Sequence, residues 1–422
     1  MRRRRFLAGL LGVSGTALVG EPGRAATPGT VTVGGTVSLS GRFAAFGPPV
    51  QRALRLWREQ LNAGGGLGGA RVRLALEDDA SDPDIARRRF QRLAPETDLL
   101  IAPYGSWLTR AVLPEVETAG RPCVAPTAGD RALWAQRRLW TAQLLNPSDT
   151  MLNGVVALAS RAGLGTAAFL YREDAFSRTV VAGAADRARA LGLEVRANLT
   201  YRNEPEARKH ARALSEARPQ LVAGMGFRPG GAGSGFLDDA LMLLDALGAA
   251  GVDAPLLCLG IGASDRRFAG QAGAAAEGVV GSTGWRTYLR TPGNSAFVSA
   301  FRARWGETPD VHAAQGYAAA QVLARAWRRG ASNARAPTPS AVRDALFGLD
   351  VETVFGRFRV NERGLQTGKT NALVQWRDGE PVVIGPGRYA EGAFVPRAGQ
   401  GRSALLTGAR SEGDRPTPPA MQ

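Results

Sequence analysis

Thiol and imidazole chemistry has little to work with in this chain. Among 422 residues there are two cysteines, Cys123 and Cys258, and two histidines, His210 and His312. A zinc site needs Cys or His clustered at short spacing, and none of the four has such a neighbour, so no metal is expected. Each cysteine lies in a short apolar run, Pro122-Cys123-Val124-Ala125 or Leu256-Leu257-Cys258-Leu259, and the two runs read as strands of different domains. Buried free thiols, packing as small hydrophobic groups, are expected rather than a disulfide.

Lysine is nearly absent too. Of 53 basic residues only Lys209 and Lys369 are lysines; 37 acids offset them to a formal charge of +16. Nucleic-acid-binding chains gather such charge into basic arms or patches with interleaved aromatics. Here it is spread over helix faces (Arg52, Arg55, Arg58; Arg87, Arg88, Arg89), so no nucleic-acid partner is expected. The apolar run Ala8–Gly20 is too short, and too rich in Gly, Ser and Thr, for a stable membrane span. Basic residues precede it and Ala25-Ala26 follow, which is the anatomy of an export signal over residues 1–26. Arg3-Arg4-Arg5-Phe6-Leu7 fits a twin-arginine signal; an ordinary secretory signal with extra charge, or a retained anchor, stays open.

Signatures of catalysis are equally sparse. Gly364-Leu365-Gln366-Thr367-Gly368-Lys369-Thr370 has its glycines separated by three residues instead of four, and a strand-like run follows it where a phosphate loop needs a helix. Gly64–Gly69 follows a helix and precedes a strand, the reverse of a dinucleotide fingerprint. Gly233-Ser234-Gly235 lacks the nucleophile-elbow pattern. No enzyme and no cofactor are expected.

What is present is an alternation of strands and helices from about residue 29. The stripe Val50, Ala53, Leu54, Trp57, Leu61 marks one apolar helix face. Strands are expected at 31–33, 71–76, 99–102, 122–125, 166–171, 193–201, 221–224, 256–260 and 279–283, with short strands again at 356–360, 372–376 and 381–384. Such alternation implies parallel sheets covered on both faces. At 422 residues there is chain enough for two domains, each with its own core.

Five loops stand at strand or helix ends between Ser38 and Gly129: SLSGRFAAFG, LNAGGGLGG, EDDASDP, APYGS and APTAG. Ser106 in the fourth can cap a helix whose outward amides could hold a carboxylate. In order, the five loops resemble those of the periplasmic leucine/isoleucine/valine-binding proteins, the substrate receptors of ABC importers. Ser106, Ala111, Pro114, Gly120 and Pro122 match the family pattern after that strand, although Ala102 replaces its first Gly.

The resemblance covers about residues 29–386. It implies a type I periplasmic binding fold, α/β, with two doubly wound lobes joined by a three-strand hinge. The implied division is 27–146 and 287–350 in lobe 1, 147–286 and 351–390 in lobe 2, with crossings near 144–149, 283–289 and 348–354. Residues 391–422, poor in apolar groups, are expected to be a disordered tail. The implied protein is a periplasmic monomer that delivers a small amino acid, or a related carboxylate or amide, to a membrane permease with its ATPase. A sensory receptor of the same fold, or an exported enzyme, are the other classes.

The family's ligand contacts fall, by resemblance, on Ser106 for the α-carboxylate, on Thr127, Ala128 and Gly129 in the second loop, and on Phe46 in the side-chain pocket. Phe176 and Phe227 would close from lobe 2. Three positions depart from the pattern: Gly129 stands where the family has a hydroxyl, Phe176 where it has a tyrosine, and Gly262 where an acid pairs with the ligand's ammonium. Asp265 or Asp174 could substitute for that acid, or the ligand has no ammonium. Arg228, Trp285 and Arg286 could serve a larger or more acidic ligand.

Overall fold

The computed structural model describes residues 29–228, 235–331 and 336–397; the expected export signal and the chain beyond residue 397 lie outside them. The first sheet is parallel throughout. Its strands are β1 (Thr30–Val37), β2 (Arg71–Asp78), β3 (Leu99–Ile101), β4 (Cys123–Ala125) and β5 (Thr141–Gln143), in the order β2-β1-β3-β4-β5. The second sheet holds β6 (Thr166–Arg172), β7 (Glu194–Tyr201), β8 (Leu221–Met225), β9 (Leu256–Cys258) and β10 (Val280–Thr283). A hairpin, β11 (Asp350–Thr353) and β12 (Gly356–Arg359), precedes its last strands, β13 (Ala372–Arg377) and β14 (Glu380–Gly385). The order is β14-β13-β10-β9-β8-β6-β7, with β13 and β14 antiparallel to their neighbours.

Both sheets are buried on two faces, which is why their strands read as continuous apolar runs. Leu99 and Ile101 enter one core with Val31, Leu54 and Trp57, while Leu100 and Ala102 enter another with Phe90 and Val112. On β6 the same alternation sends Phe169 to one face and Leu170 to the other. Helix α1 (Gly47–Ala63) lays the expected stripe on the first sheet, with Val50, Ala53, Leu54 and Trp57 buried. Helix α2 (Pro83–Leu93) and helix α3 (Gly105–Ala119) cover the opposite face. Lobe 2 carries α4 (Asn153–Arg161), α5 (Ala175–Ala190), α6 (Glu204–Ala217), α7 (Gly235–Ala249) and α8 (Arg267–Ala272). The chain then returns to the first sheet through α9 (Asn294–Trp305), α10 (Val311–Gly330) and α11 (Pro339–Phe347). The two cysteines are buried and unpaired, as expected, and burial pushes the Cys258 thiol up to about 12.

Three expectations need correction. Strand β5 is too short and polar to register as an apolar run. Its Gln143 is nonetheless fully buried, because the side chain donates to the Ala128 carbonyl (2.8 Å) and accepts from the Gln366 amide (3.1 Å). The third crossing does not lie at 348–354. Val354, Phe355, Phe358 and Val360 join the core of the first sheet, and Gln366 donates to the Leu144 carbonyl (3.0 Å). The hairpin thus packs with lobe 1, and the chain crosses between Gly368 and Ala372. Residues 391–397, expected in the tail, lie against lobe 2. Gln375 exchanges hydrogen bonds with the backbone of Val395 (2.6 and 3.0 Å), and the Arg397 amide donates to Pro255 (2.9 Å). Phe394 packs on the lobe 2 core, but one apolar residue and hydrogen bonds to polar groups leave no apolar run to read.

At the hinge, Lys369 is buried and joins two crossings: Nζ donates to the carbonyls of Gly284 (2.9 Å) and Phe355 and sits over the Phe355 ring. Desolvation lowers its pKa from 10.5 to about 7, against a smaller opposing pull from Glu352. Between those values the unfolded chain holds the proton and the folded chain does not. Stability therefore rises with pH above 7, by up to roughly 1.4 kcal/mol per pH unit, and this contribution is absent below 7. Urea titrations at pH 6 to 8.5 should show that rise, and Lys369→Met should flatten it; parallel profiles would refute the assignment.

Candidate functional site

A cleft of about 1870 Å³ opens between the lobes, lined by loops that follow the carboxyl ends of strands in both sheets. Ligands in open α/β folds bind at this edge, where chain reversals leave a crevice.

The loops with the strongest motifs brace one another. Asp78 accepts from the amides of Leu39 (2.9 Å), Ser40 (3.2 Å) and Ala80 (2.9 Å) and from the Ser40 hydroxyl (2.6 Å). Burial opposes its ionisation, but these donors win and hold its carboxyl below the usual range. Asp79, fully buried, accepts from the Ser38 hydroxyl (2.7 Å), and Asp82 caps α2 through the amides of Asp84 and Ile85. The Ser38 and Asp78–Pro83 motifs are thus scaffold beneath the cleft.

Ser106 lines the cleft, but it does not cap α3; Tyr104 is the N-cap residue and makes no side-chain cap bond. Gly105, at φ +72°, turns the chain from β3 into the helix. The Ser106 hydroxyl instead accepts from the amides of Gly129 (3.1 Å) and Asp130 (3.0 Å) in the neighbouring loop. Thr127 also lines the cleft, and its hydroxyl accepts from the Gly105 amide (2.8 Å). A hydroxyl that accepts backbone N–H groups keeps its own proton to donate. Two hydroxyl donors and the first-turn amides of α3 after Gly105 therefore lie at one end of the cleft, a fit for a carboxylate.

The second loop is rearranged relative to expectation. Ala128 is fully buried, its carbonyl taken by Gln143, and it does not line the cleft. Gly129 lines it, but a Cβ there would fall 2.4 Å from the Ser148 hydroxyl oxygen. Ser148 thus occupies the space of the missing side chain, and its amide donates to the Gly129 carbonyl (2.8 Å). Ser148 lay in an expected crossing and had no sequence signal of its own.

Aromatic rings form the walls. On lobe 1, Phe46 stacks on Tyr104 with centroids 4.8 Å apart, and His312 lies 4.9 Å from Phe46 and 5.3 Å from Tyr104. Burial lowers the His312 pKa, against a smaller pull from Asp310, so the ring is held towards its neutral form. Its place in the cleft comes from α10, more than 180 residues after β3 and β4. On lobe 2, Phe236 meets Phe176 (6.0 Å) and Phe227 (5.0 Å), and all three line the cleft. The segment 229–234, most of the expected insertion, lies outside the described residues.

Of the acids that line the cleft, Glu173, Asp174, Asp265 and Asp310, the two expected to receive an ammonium are already engaged. Gly262 is buried beneath it, and a Cβ there would stand 2.0 Å from the Phe236 carbonyl oxygen. It belongs to the packing of a turn and is no cleft residue. Asp174 spends both oxygens on Ser177, at 2.8 and 2.7 Å. Asp265 grips Arg267 with both of its oxygens (3.0 Å each); burial opposes its ionisation, but Arg267 outweighs it and holds the carboxyl low. Neither expected substitute is available.

Comparison with known proteins agrees with this geometry. A family profile described as periplasmic binding protein matches residues 30–381. A curated relative, the Leu/Ile/Val-binding protein homolog 8 of Brucella abortus, is 26% identical over 390 residues, covering 85% of this chain and 90% of its own. The branched-chain amino acid transporter substrate-binding protein of Streptococcus pneumoniae, solved with isoleucine, shares the fold at TM-score 0.60. It is 20% identical and covers 85% of this chain and 100% of its own. A solute-binding protein of an R. palustris ABC transporter, solved with benzoate, has TM-score 0.62. It is 22% identical and covers 88% of this chain and 98% of its own.

Proposed function

Because the chain belongs to the periplasmic binding protein family, whose members bind substrates and are not enzymes, we propose that it is the receptor of an ABC importer. It captures a small carboxylate in the interlobe cleft, in the periplasm, and presents it as a monomer to a membrane permease coupled to an ATPase. No described helix is long and apolar enough to cross a membrane.

One observation carries the ligand class. The hydroxyls of Ser106 and Thr127 accept backbone amides, which leaves their protons to donate into the cleft beside the start of α3. The rings of Phe46 and Tyr104 on one side, and Phe176 and Phe236 on the other, suit an apolar or aromatic body. With Gly262 in place of the family's acid and Asp174 and Asp265 both engaged, a simple acid such as benzoate is favoured over leucine, because a buried unpaired ammonium is costly. Lobe closure then reports occupancy, since only the closed form matches the permease.

The test is calorimetric titration with benzoate, phenylacetate and leucine. Ser106→Ala should weaken the bound acid by about 1–3 kcal/mol, or roughly 5- to 150-fold, and lower the melting temperature as well, since the Gly129 and Asp130 amides lose their acceptor. Unchanged affinity, or leucine binding more tightly than every simple acid, would overturn this reading.

A further inference from the structure

We propose that Arg286 forms a second anion subsite at the far side of the cleft from Ser106, so that the natural ligand is a diacid with an anionic group at each end. This rests on the carboxylate reading above and extends it.

Six arginines line the cleft, and three of them are already neutralised. Arg172 pairs with Asp239 (2.9 Å), Arg202 with Glu206 (2.9 Å) and Arg267 with Asp265 (3.0 Å). Arg286 differs. It leaves β10 at the second crossing and is half-buried in the cleft wall. Its Nε donates to the carbonyl (3.0 Å) and hydroxyl (3.1 Å) oxygens of Ser264, and its Nη2 to the Ile261 carbonyl (3.1 Å). Every one of these acceptors is neutral. Among the described residues no carboxylate lies within ion-pair distance of it, and its Nη1 has no partner.

Three bonds on one edge of a planar guanidinium fix its orientation and leave the remaining N–H groups for an oxyanion. Burial, with a smaller push from Arg267, works against the charge and lowers its pKa, while Tyr288 and Asp265 pull the other way. A cation kept in a cleft wall without a counter-ion is costly unless the ligand brings one. Arg266, over the Tyr288 ring (5.1 Å) and likewise without an acidic partner among the described residues, adds to the positive field. The lobe 1 end offers hydroxyl and amide donors, the lobe 2 end a guanidinium, and aromatic walls lie between them. That arrangement fits a dicarboxylate with a flat body.

A purely structural role, bracing the 261–264 turn, makes a different forecast: Arg286 replacement would lower the melting temperature and weaken all ligands alike. Titration of the full chain with benzoate against terephthalate, and hexanoate against adipate, separates the two. The diacid should bind at least tenfold more tightly than its monoacid. Arg286→Met should cut that ratio at least tenfold, and Arg286→Lys should keep part of it. A wild-type ratio of one or less, a ratio unmoved by Arg286→Met, or equal weakening of every ligand would overturn the subsite. If Ser106→Ala still weakens acids in that case, the carboxylate receptor stands and only the second subsite falls. If no acid binds, or Ser106→Ala changes none, both readings fall.

Discussion

Replacing Asp239 by alanine is expected to destabilise the protein by about 3–5 kcal/mol, with the lower end favoured because its partner Arg172 reaches the cleft. Asp239 lies on α7 with its side chain 1% exposed. One oxygen accepts from Arg172 Nε and Nη2 at 2.9 Å, and the other from the hydroxyl of the fully buried Tyr201. The end of β8 is shaped around it: a Cβ at Gly226 would come within 2.1 Å of that second oxygen. Burial raises the Asp239 pKa, with Tyr201 and Arg172 pulling the other way. Alanine removes the acceptor and leaves a phenol and a guanidinium unpaired, which costs more than the pair itself contributes. Asparagine keeps the shape and one acceptor, so it should recover part of the loss. Urea denaturation of the three proteins checks this; a change below about 1 kcal/mol for alanine would mean that water replaces the carboxylate freely.

The second large effect concerns Gly262, where resemblance places the acid that receives an ammonium. Gly262→Glu should not create an amino-acid receptor; it should unfold or severely weaken lobe 2. The first added carbon would stand 2.0 Å from the Phe236 carbonyl oxygen and 2.6 Å from the Ala240 Cβ, in a buried turn. Overpacking of this kind costs about 1–3 kcal/mol, which Gly262→Ala should show alone. The glutamate adds a carboxylate buried without a partner, worth several kcal/mol more. Melting curves for both variants, with leucine titration of any folded Gly262→Glu protein, decide the matter. A stable variant that gains leucine affinity would show that the turn can open to admit an acid, contrary to its packing here.

Much of the architecture was legible because it depends on local periodicity. The apolar runs at 99–102 and 166–171 became strands buried on two faces, and the stripe Val50–Leu61 became the inner face of α1. What escaped notice was polar structure satisfied at long range. Strand β5 depends on Gln143 and Gln366, more than 200 residues apart. The segment 391–397 depends on Gln375. Neither leaves a run of apolar residues, because long-range hydrogen bonds from polar side chains help to order them.

The site divides in the same way. Sequence alone determined the class of the protein and which strand-end loops face the cleft, since turn residues such as Gly105 and caps such as Asp82 act within a few residues. It also marked Ser106, Thr127 and Phe46 as cleft residues. Tertiary structure alone decided what those groups are free to do. The Ser106 hydroxyl serves the next loop instead of its own helix; Ser148 fills the space beside Gly129; His312 arrives from α10; and Arg286 is left without an acid while Arg172, Arg202 and Arg267 are paired. Charge and hydrogen-bond satisfaction are properties of the whole neighbourhood, drawn from segments far apart in the chain, so only the folded molecule shows which cation is still waiting for an anion.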